Sequence, residues 1–334
     1  MKPCIDIVLA TYNGEQYLEQ QIESLQNSEQ YHQLINRLII TDDGSSDATI
    51  DIISQLALLD NKIELHINPQ NNTGLTLSSE SCPAIPCRVG PLANFAHGLS
   101  LTTAPYIMLC DQDDVWLPNK ITLSFQEILK KDNDSPQLIF SDKRITDKNL
   151  NTLSESYFSL KNIPTNWHHN IEHLAQQNVA SGCTMLFNRA LLNIAMPIPI
   201  NAYMHDWWLV LIAKHYGEVT LIKQPLILYR QHDKNNIGAK KRRLTQLLVN
   251  FPHYLADFQT SFWRAVTQAQ LLCQHIEKSK QLSPIAPTIT SFAHIAAAPK
   301  YKRIGYWLNK KVTRSNLLGR YALLIVLLIT KRKH

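Results

Sequence analysis

The amino-acid sequence predicts an α/β fold with a Rossmann-like, mostly parallel and doubly wound sheet, followed by a helical, basic C-terminal extension. Two observations support this prediction. Short apolar runs alternate with helical patterns through roughly the first 140 residues, which is the order of a parallel sheet covered by helices. No acidic residue follows Glu277, whereas basic residues continue to the end of the sequence, which distinguishes a basic C-terminal extension from the rest of the chain.

The alternation is clearest before residue 110. Ile5–Ala10 has the composition of a strand buried in a parallel sheet. In the predicted helix Asp47–Leu59, Ile50 and Ile53 recur at helical spacing. The predicted strands are Ile5–Ala10, Arg37–Thr41, Lys62–Ile67 and Tyr106–Cys110, and the predicted helices are Glu15–Leu25, Asp47–Leu59 and Leu92–Leu101.

The pattern is mixed after Ile139. Strands are predicted at Gly182–Asn188 and Glu218–Tyr229, and a helix at Met204–Tyr216. The segment Asn68–Gly90 is rich in Asn, Ser and Pro and is predicted to be a long loop.

The basic residues are concentrated at the C-terminal end. The chain has 33 basic and 27 acidic residues; 12 of the basic ones lie at or after Lys278, so the first 277 residues have a net charge of −6. A basic tail suits an anionic partner such as a membrane, a nucleic acid or a phosphorylated acceptor. The apolar run Tyr321–Thr330 is too short to span a bilayer, so we expect surface binding by the tail. The alternative is a helix that packs its apolar side on the domain.

The six cysteines are scattered, and no Cys/His cluster has zinc-site spacing. We therefore expect reduced thiols in a cytoplasmic protein, with a Cys82–Cys87 disulfide as the alternative. Strand-like sequence begins at Cys4, so no signal peptide is predicted. Together with the basic tail, this predicts a cytoplasmic location, peripheral at the inner face of the cell membrane.

Three polar segments follow predicted strands, namely Thr11–Gly14, Thr41–Asp47 and Asp111–Asp114. Such residues are ordinary turn formers, but the carboxyl ends of parallel strands meet at one edge of a sheet, where ligands bind. Three carboxylates in Asp111–Asp114 repel one another unless a cation lies between them. Their hard oxygen ligands suit Mg²⁺ or Mn²⁺, ions that usually also hold substrate phosphates.

These segments resemble motifs of glycosyltransferase family 2, which has the GT-A fold, and within it the bacterial rhamnosyltransferase-like group. Seven stretches match in family order: Val8–Gly14, Ile39–Asp47, Pro91–Phe95, Cys110–Lys120, Gly182–Met185, His205–Trp208 and Tyr229–His232.

The resemblance implies a GT-A domain over residues 1–236 and a helical basic extension over 237–334. The domain would divide into a nucleotide-binding half, 1–115, and an acceptor half, 116–236.

The resemblance also implies roles for single residues. Asp206 matches the general base of inverting members, and Asp113 and His232 match metal-binding positions for Mg²⁺ or Mn²⁺. Ala93 stands where the family often has arginine, so any arginine contact to the donor must come from elsewhere. The positions that match donor-binding residues are Thr11, Tyr12, Asn13, Asp42 or Asp43, Asn94 and Asp111.

The implied activity is metal-dependent, inverting transfer of a single sugar, with rhamnose favoured, from a dTDP- or UDP-sugar. The implied acceptor is a surface polysaccharide or a glycan on polyprenyl diphosphate, and no nucleic acid partner is expected. The QxxRW motif of processive members is absent, which favours single-sugar transfer.

Other classes remain as alternatives. A retaining GT-A enzyme is one. A sugar-nucleotide nucleotidyltransferase is another, although its first loop should be Gly-rich and basic, and Thr11–Gln16 has no basic residue. A non-catalytic sugar- or nucleic-acid-binding protein is the third. Asp206 could instead be a helix N-cap, and His232 a surface loop histidine.

Overall fold

The computed structural model describes residues 2–68, 90–232, 251–279 and 284–330, with the backbone alone for residues 251–253. Several sequence predictions fall outside these residues, namely the loop between Asn68 and Gly90, the Cys82–Cys87 pair, the boundary at residues 236 and 237, and the basic residues 331–333.

The described part of the chain forms one nine-stranded sheet. Its strands are β1 Ile5–Thr11, β2 Ile35–Asp42, β3 Ile63–Ile67, β4 Tyr106–Asp111, β5 Val115–Trp116, β6 Gln137–Thr146, β7 Thr152–Ser154, β8 Met185–Asn188 and β9 Glu218–Arg230. They lie in the order β3-β2-β1-β4-β8-β6-β9-β5, and β7 pairs with β6.

The sheet has a parallel half and a mixed half. The strands β3, β2, β1 and β4 are parallel, as predicted from the alternating pattern. Beyond them, β8 runs antiparallel to both β4 and β6, whereas β9 is parallel to β6 and antiparallel to β5. The α/β class is therefore confirmed, and the doubly wound parallel arrangement is confined to the first half of the sheet.

Helices cover both faces of the sheet. They are α1 Leu18–Gln26, α2 Tyr31–Leu34, α3 Thr49–Leu59, α4 Pro91–Leu101, α5 Lys120–Ile128, α6 Tyr157–Lys161, α7 Ile171–Gln176, α8 Arg189–Ala195, α9 His205–Tyr216, α10 Phe251–Lys278, α11 Pro287–Ala293, α12 Lys300–Leu308 and α13 Leu317–Ile329. Short 3₁₀ turns occur at Trp167–His169 and Gly182–Thr184.

Two hydrophobic layers enclose the sheet. One contains the apolar faces of α1 and α5, and in α1 Leu18, Ile22 and Leu25 are buried at helical spacing. The other contains α4, α9 and the C-terminal helices. Gly98 allows α4 to lie directly on β1, because a Cβ there would lie 2.4 Å from a methyl group of Val8.

Two predicted boundaries shift for local reasons. The strand predicted at Gly182–Asn188 begins only at Met185, since a 3₁₀ turn precedes it. The helix predicted from Glu15 begins at Leu18, because Tyr17 and Leu18 donate backbone hydrogen bonds to Gly14 in a turn.

The described C-terminal extension packs on the domain. Leu323, Val326 and Leu327 of α13 are buried in the same layer as α9. Arg303 is 1% exposed and donates hydrogen bonds to the carbonyl groups of Ala296, Ala298, Leu327 and Thr330, which joins α12 to the end of α13. The packed-helix alternative is thus correct for the inner side of α13.

The outer side of α13 is exposed and apolar. Leu317, Tyr321 and Leu328 lie on one face, at spacings of four and eleven residues, and are 69%, 61% and 38% exposed. Among the described helices, none is both long enough and apolar enough to cross a membrane.

Candidate active site

A cavity of about 1220 Å³ opens at the carboxyl ends of β1 and β4. The strand register brings the acidic loops together, because Thr11 pairs with Asp42 and Ala10 pairs with Asp111. The cavity also receives residues from α9, from the end of β9 and from the C-terminal extension. The predicted site residues that line it are Thr11, Tyr12, Asn13, Asp43, Asn94, Asp111, Asp113, Asp206 and His232.

Asp42 does not line this cavity, because its carboxylate is buried and hydrogen-bonded to Thr11 of β1 and to its own loop. The side chain is 0% exposed. It accepts hydrogen bonds from the Thr11 hydroxyl at 2.8 Å and from the Gly44 and Ser45 backbone N–H groups at 2.9 and 2.7 Å. Of the two candidates Asp42 and Asp43, only Asp43 therefore lies where it could contact a ligand in the cavity.

Asp43 lies at the cavity wall and is 7% exposed. It accepts a hydrogen bond from the Gly90 N–H at the start of α4. Burial raises the pKa of this carboxyl, and the charge of Asp42 adds to the effect. Asp43 is thus a carboxylate held at the edge of the cavity.

The amide of Asn94 joins neighbouring loops. Its Nδ2 donates to the Thr11 carbonyl at 3.0 Å, and its Oδ1 accepts from Asn68 Nδ2 at 2.9 Å. Asn13 acts similarly, since its Oδ1 accepts from the Ser46 N–H at 2.9 Å. Both residues line the cavity, but these contacts shape the loops around it.

Gln112 is a cavity residue to which the sequence pattern assigns no role. Its side-chain amide pairs with the Tyr12 backbone, accepting from the N–H at 2.8 Å and donating to the carbonyl at 3.1 Å. Gln112 bonds only backbone groups of Tyr12, so these contacts leave the Tyr12 ring at the cavity mouth, where Tyr12 is 55% exposed. The middle residue of Asp111-Gln-Asp113 thus connects the first and third loops.

Asp113 and His232 approach each other across the cavity. His232 Nε2 lies 2.8 Å from Asp113 Oδ2, and the two side chains are 12% and 18% exposed, respectively. His232 is therefore not an ordinary surface loop histidine. It also lies against Tyr17, with ring centroids 5.1 Å apart.

Arg230 positions this pair from the end of β9. Its Nε donates to the Asp113 carbonyl at 2.8 Å, and its Nη2 donates to Gln20 Oε1 at 2.6 Å. Its guanidinium lies 4.4 Å from the centre of the Tyr17 ring. Arg230 and His232 of the matched stretch Tyr229–His232 thus both contact Asp113 in the loop after β4.

The electrostatics of the acidic loop fit a bound cation. Burial and the charge of Asp113 raise the pKa of Asp111 to about 7. Burial and the charges of Asp113 and Asp111 raise the pKa of Asp114 well above its usual value. A divalent ion would relieve this repulsion, and carboxylate oxygens with one imidazole nitrogen suit Mg²⁺ or Mn²⁺.

A second group of possible metal ligands lies behind this loop. One ligand atom each from Asp111, Asp114 and Cys183 lie within 4.8 Å of one another. Asp114 and Cys183 are 0% exposed, and burial raises the pKa of the Cys183 thiol well above its usual value. A neutral thiol is a poor ligand for a hard cation, so the open side at Asp113 and His232 fits better.

Asp206 faces the same cavity from the first turn of α9. The N-cap of that helix is Met204, so Asp206 is not its N-cap. The Asp206 carboxylate accepts a hydrogen bond from the Gly182 N–H at 3.2 Å. Burial raises the pKa of Asp206 to about 6, although the N–H groups of Trp207 and Gly182 and the charge of Lys143 oppose this. This is the range of a carboxylate that accepts protons near neutral pH.

Lys143 is a second site residue that was not predicted. It extends from β6 into the cavity and is 5% exposed. Its Nζ donates to the Ser181 hydroxyl at 2.7 Å and lies 3.6 Å from the centre of the Tyr229 ring. Its charge lowers the pKa of both Asp111 and Asp206, so it acts on the acidic loop and on the candidate base.

Sequence comparisons match the first part of the chain to a known family. The model of "Glycosyl transferase family 2" matches residues 6–78. The chain is 26% identical over 248 residues to the dTDP-rhamnosyl transferase RfbG of Shigella flexneri, which covers 69% of this chain and 74% of that protein. It is 34% identical over 119 residues to an uncharacterized glycosyltransferase of Haemophilus influenzae, covering 36% of this chain and 40% of that protein.

Solved structures share the architecture at low sequence identity. Residues 1–349 of S. aureus TarS, in complex with UDP-GlcNAc, superpose with a TM-score of 0.51 at 14% identity, over 98% of this chain and 89% of that one. The mannosyltransferase PcManGT of Pyrobaculum calidifontis, in complex with GDP-Man and Mn²⁺, gives 0.53 at 12% identity, over 98% and 88%. At these identities, the similarity establishes the fold alone.

Proposed function

Since this chain belongs to glycosyltransferase family 2 and has the GT-A fold, we propose that it transfers one sugar from a nucleotide-diphosphate donor to an acceptor hydroxyl, with inversion at the anomeric carbon. The reaction requires Mg²⁺ or Mn²⁺. The acceptor is a surface polysaccharide or a lipid-linked glycan.

One observation carries this proposal. A single cavity is lined both by the Asp113–His232 pair and by the carboxylate of Asp206. An inverting glycosyl transfer needs these two functions on opposite sides of the anomeric carbon. One side stabilises the charge of the departing diphosphate, and the other accepts the proton of the attacking hydroxyl.

Asp113 and His232 are the residues that would hold the metal ion, and Asp111 lies in the same loop as Asp113. When bound, the ion supplies Lewis-acid neutralisation of the diphosphate leaving group. Arg230 keeps the Asp113 backbone in place, and the Gln112–Tyr12 pairing fixes the same loop against the donor side.

Asp206 is the proposed base. The acceptor oxygen attacks the anomeric carbon as its proton passes to the Asp206 carboxylate, and the bond from that carbon to the diphosphate oxygen breaks with its electron pair on the diphosphate. The hydrogen bond from the Gly182 N–H orients the carboxylate. Lys143 keeps Asp206 more ionised than burial alone would allow, and it adds positive charge near the departing diphosphate.

The similarity to a dTDP-rhamnosyl transferase supports dTDP-rhamnose as the first donor to test. The UDP-GlcNAc and GDP-Man complexes of the structural neighbours support a nucleotide-sugar donor of some kind. Donor identity depends on a few side-chain contacts to sugar hydroxyls.

The extension provides a membrane-binding surface in this proposal. The exposed face of α13 carries Leu317 and Tyr321, and the exposed Lys310 and Lys311 precede it. Apolar side chains flanked by basic residues favour an anionic membrane surface. A peripheral position at the inner face of the membrane would place the cavity near a lipid-linked acceptor.

The test is nucleotide release from a panel of dTDP-rhamnose, UDP-glucose, UDP-GlcNAc and GDP-mannose, with Mn²⁺ or with excess EDTA. We expect Mn²⁺-dependent release of a nucleoside diphosphate from one donor. Release of a nucleoside monophosphate or of pyrophosphate would instead indicate nucleotidyl transfer.

A further inference from the structure

We propose that Arg314, from the C-terminal extension, is a binding residue for an oxyanion carried by the acceptor, so that the extension completes the acceptor side of the cavity. This inference rests on the proposed function, because it specifies the chemical class of the acceptor. The oxyanion is a phosphate or a carboxylate close to the hydroxyl that is glycosylated.

The first observation is the burial of Arg314. Arg314 is 8% exposed, yet it lines the same cavity as Asp206. Its Nη2 has no hydrogen-bond partner among the described residues, and no described carboxylate lies within 4.0 Å of its side chain. Phe258 packs against the guanidinium at 5.2 Å. A buried cation without an anionic partner is costly to maintain, which suggests that a ligand supplies the partner.

The second observation is how firmly Arg314 is held. The Thr313 N–H donates to Gln176 Oε1 at 2.6 Å, and the Ser315 N–H donates to Gln177 Oε1 at 3.1 Å. Gln177 also donates to the Ser315 hydroxyl at 2.9 Å. The residues on both sides of Arg314 are therefore tied to the end of α7, so its side chain enters the cavity from a fixed backbone.

The surroundings of Arg314 favour the acceptor over the donor. Gln177, Tyr203 and Trp207 line the cavity with Arg314, and all three belong to the half of the chain that carries Asp206. The donor phosphates are expected at Asp113 and Lys143 instead. A guanidinium presents paired N–H donors that match a phosphate or a carboxylate in a planar, two-point contact.

The experiment uses the full chain saturated with dTDP and Mg²⁺, so that the donor side is filled. Methyl phosphate and glucuronate are then titrated separately by calorimetry, which distinguishes a phosphate-bearing from a carboxylate-bearing acceptor. We expect one of these anions to bind, and Arg314→Met to weaken that binding about tenfold or more, as for the loss of a charge-assisted hydrogen bond. Arg314→Lys, which keeps the charge but not the two-point geometry, should bind several-fold more weakly than the wild type.

Arg320→Met is the matched control. Arg320 also lies in the extension and near an aromatic ring, that of Trp307 at 5.9 Å, but neither residue lines the cavity. Its variant should bind the anion as the wild type does. Melting temperatures show which variants fold, and Arg314→Lys decides the question if Arg314→Met does not fold.

Anion binding that is unchanged in the folded Arg314 variants overturns the inference, as does the absence of binding by either anion. Equal weakening of dTDP binding by Arg314→Met overturns it as well, because Arg314 would then serve the donor. Failure of the wild type to bind dTDP would count against the proposed function instead, and anion binding would then be measured without nucleotide.

Discussion

His232 Nε2 lies 2.8 Å from Asp113 Oδ2, although the two residues are 119 positions apart in the chain. The contact joins the end of β9 to the loop after β4, and both side chains face the cavity. An imidazole nitrogen and a carboxylate oxygen at this distance could supply two ligands of the proposed divalent-metal site.

The first prediction concerns this pair. Asp113→Asn should abolish the rise in melting temperature that Mn²⁺ gives the wild type, and should reduce donor turnover by at least about 100-fold, as is typical when stabilisation of a leaving group is lost. The control is Asp51→Asn on the exposed face of α3, which should behave as the wild type. Full turnover in excess EDTA would contradict the metal assignment.

The second prediction separates the roles of Asp42 and Asp43. Asp42→Asn should lower the free energy of unfolding by about 1–3 kcal/mol, because its buried carboxylate accepts hydrogen bonds from Thr11, Gly44 and Ser45. Asp43→Asn should leave stability nearly unchanged and weaken dTDP or UDP binding. Denaturant unfolding and nucleotide calorimetry measure the two effects. If Asp42→Asn alone weakens nucleotide binding, the assignment of Asp43 is wrong.

The third prediction concerns the pH dependence of the base. The pKa of Asp206 is raised to about 6, so the fraction of ionised base falls as pH drops through 6, and kcat should fall with it. Lys143 lowers this pKa, so Lys143→Met should move the acidic limb of the profile to higher pH. Asp206→Asn should reduce kcat about 10²–10⁴-fold with donor affinity nearly intact. An acidic limb that stays in place in Lys143→Met would show that another group titrates.

The fourth prediction concerns the two sides of α13. Leu323 is buried on the inner side, so Leu323→Ala should cost about 2–5 kcal/mol of stability. Tyr321→Ser on the outer side should leave the melting temperature unchanged and reduce binding to anionic vesicles. Removal of residues 315–334 should destabilise the whole domain. Co-sedimentation with vesicles at two salt concentrations measures the membrane effect, and equal binding by Tyr321→Ser would rule out this surface.

Much of the proposed donor side was predictable from the sequence. Parallel strands place their carboxyl ends at one edge, so the loops at Thr11, Asp43 and Asp111 had to meet there. Asp206 and His232 were placed only by resemblance to a family, because nothing in their local sequence shows that the end of β9 and the start of α9 meet at the same cavity.

The residues that were missed lack a local signal. Lys143 lies in a strand whose neighbours Asp142 and Arg144 are also charged, so the sequence does not show which of the three enters a cavity. Arg314 is one of 12 basic residues at or after Lys278, and only the fold shows that it is buried. The strand β6 itself was not predicted. Because β6 pairs with both β8 and β9, the mixed half of the sheet was not predicted either.

The most direct test of the proposed displacement is the anomeric configuration of the first sugar released from the donor. The wild-type chain, in excess and with Mg²⁺, would hydrolyse its preferred nucleotide-sugar while proton NMR records the sugar before mutarotation. A one-step displacement assisted by Asp206 predicts the anomer opposite to that of the donor, with release slowed about 10²–10⁴-fold in Asp206→Asn. Release of the donor's own anomer would contradict this account and would indicate a retaining enzyme.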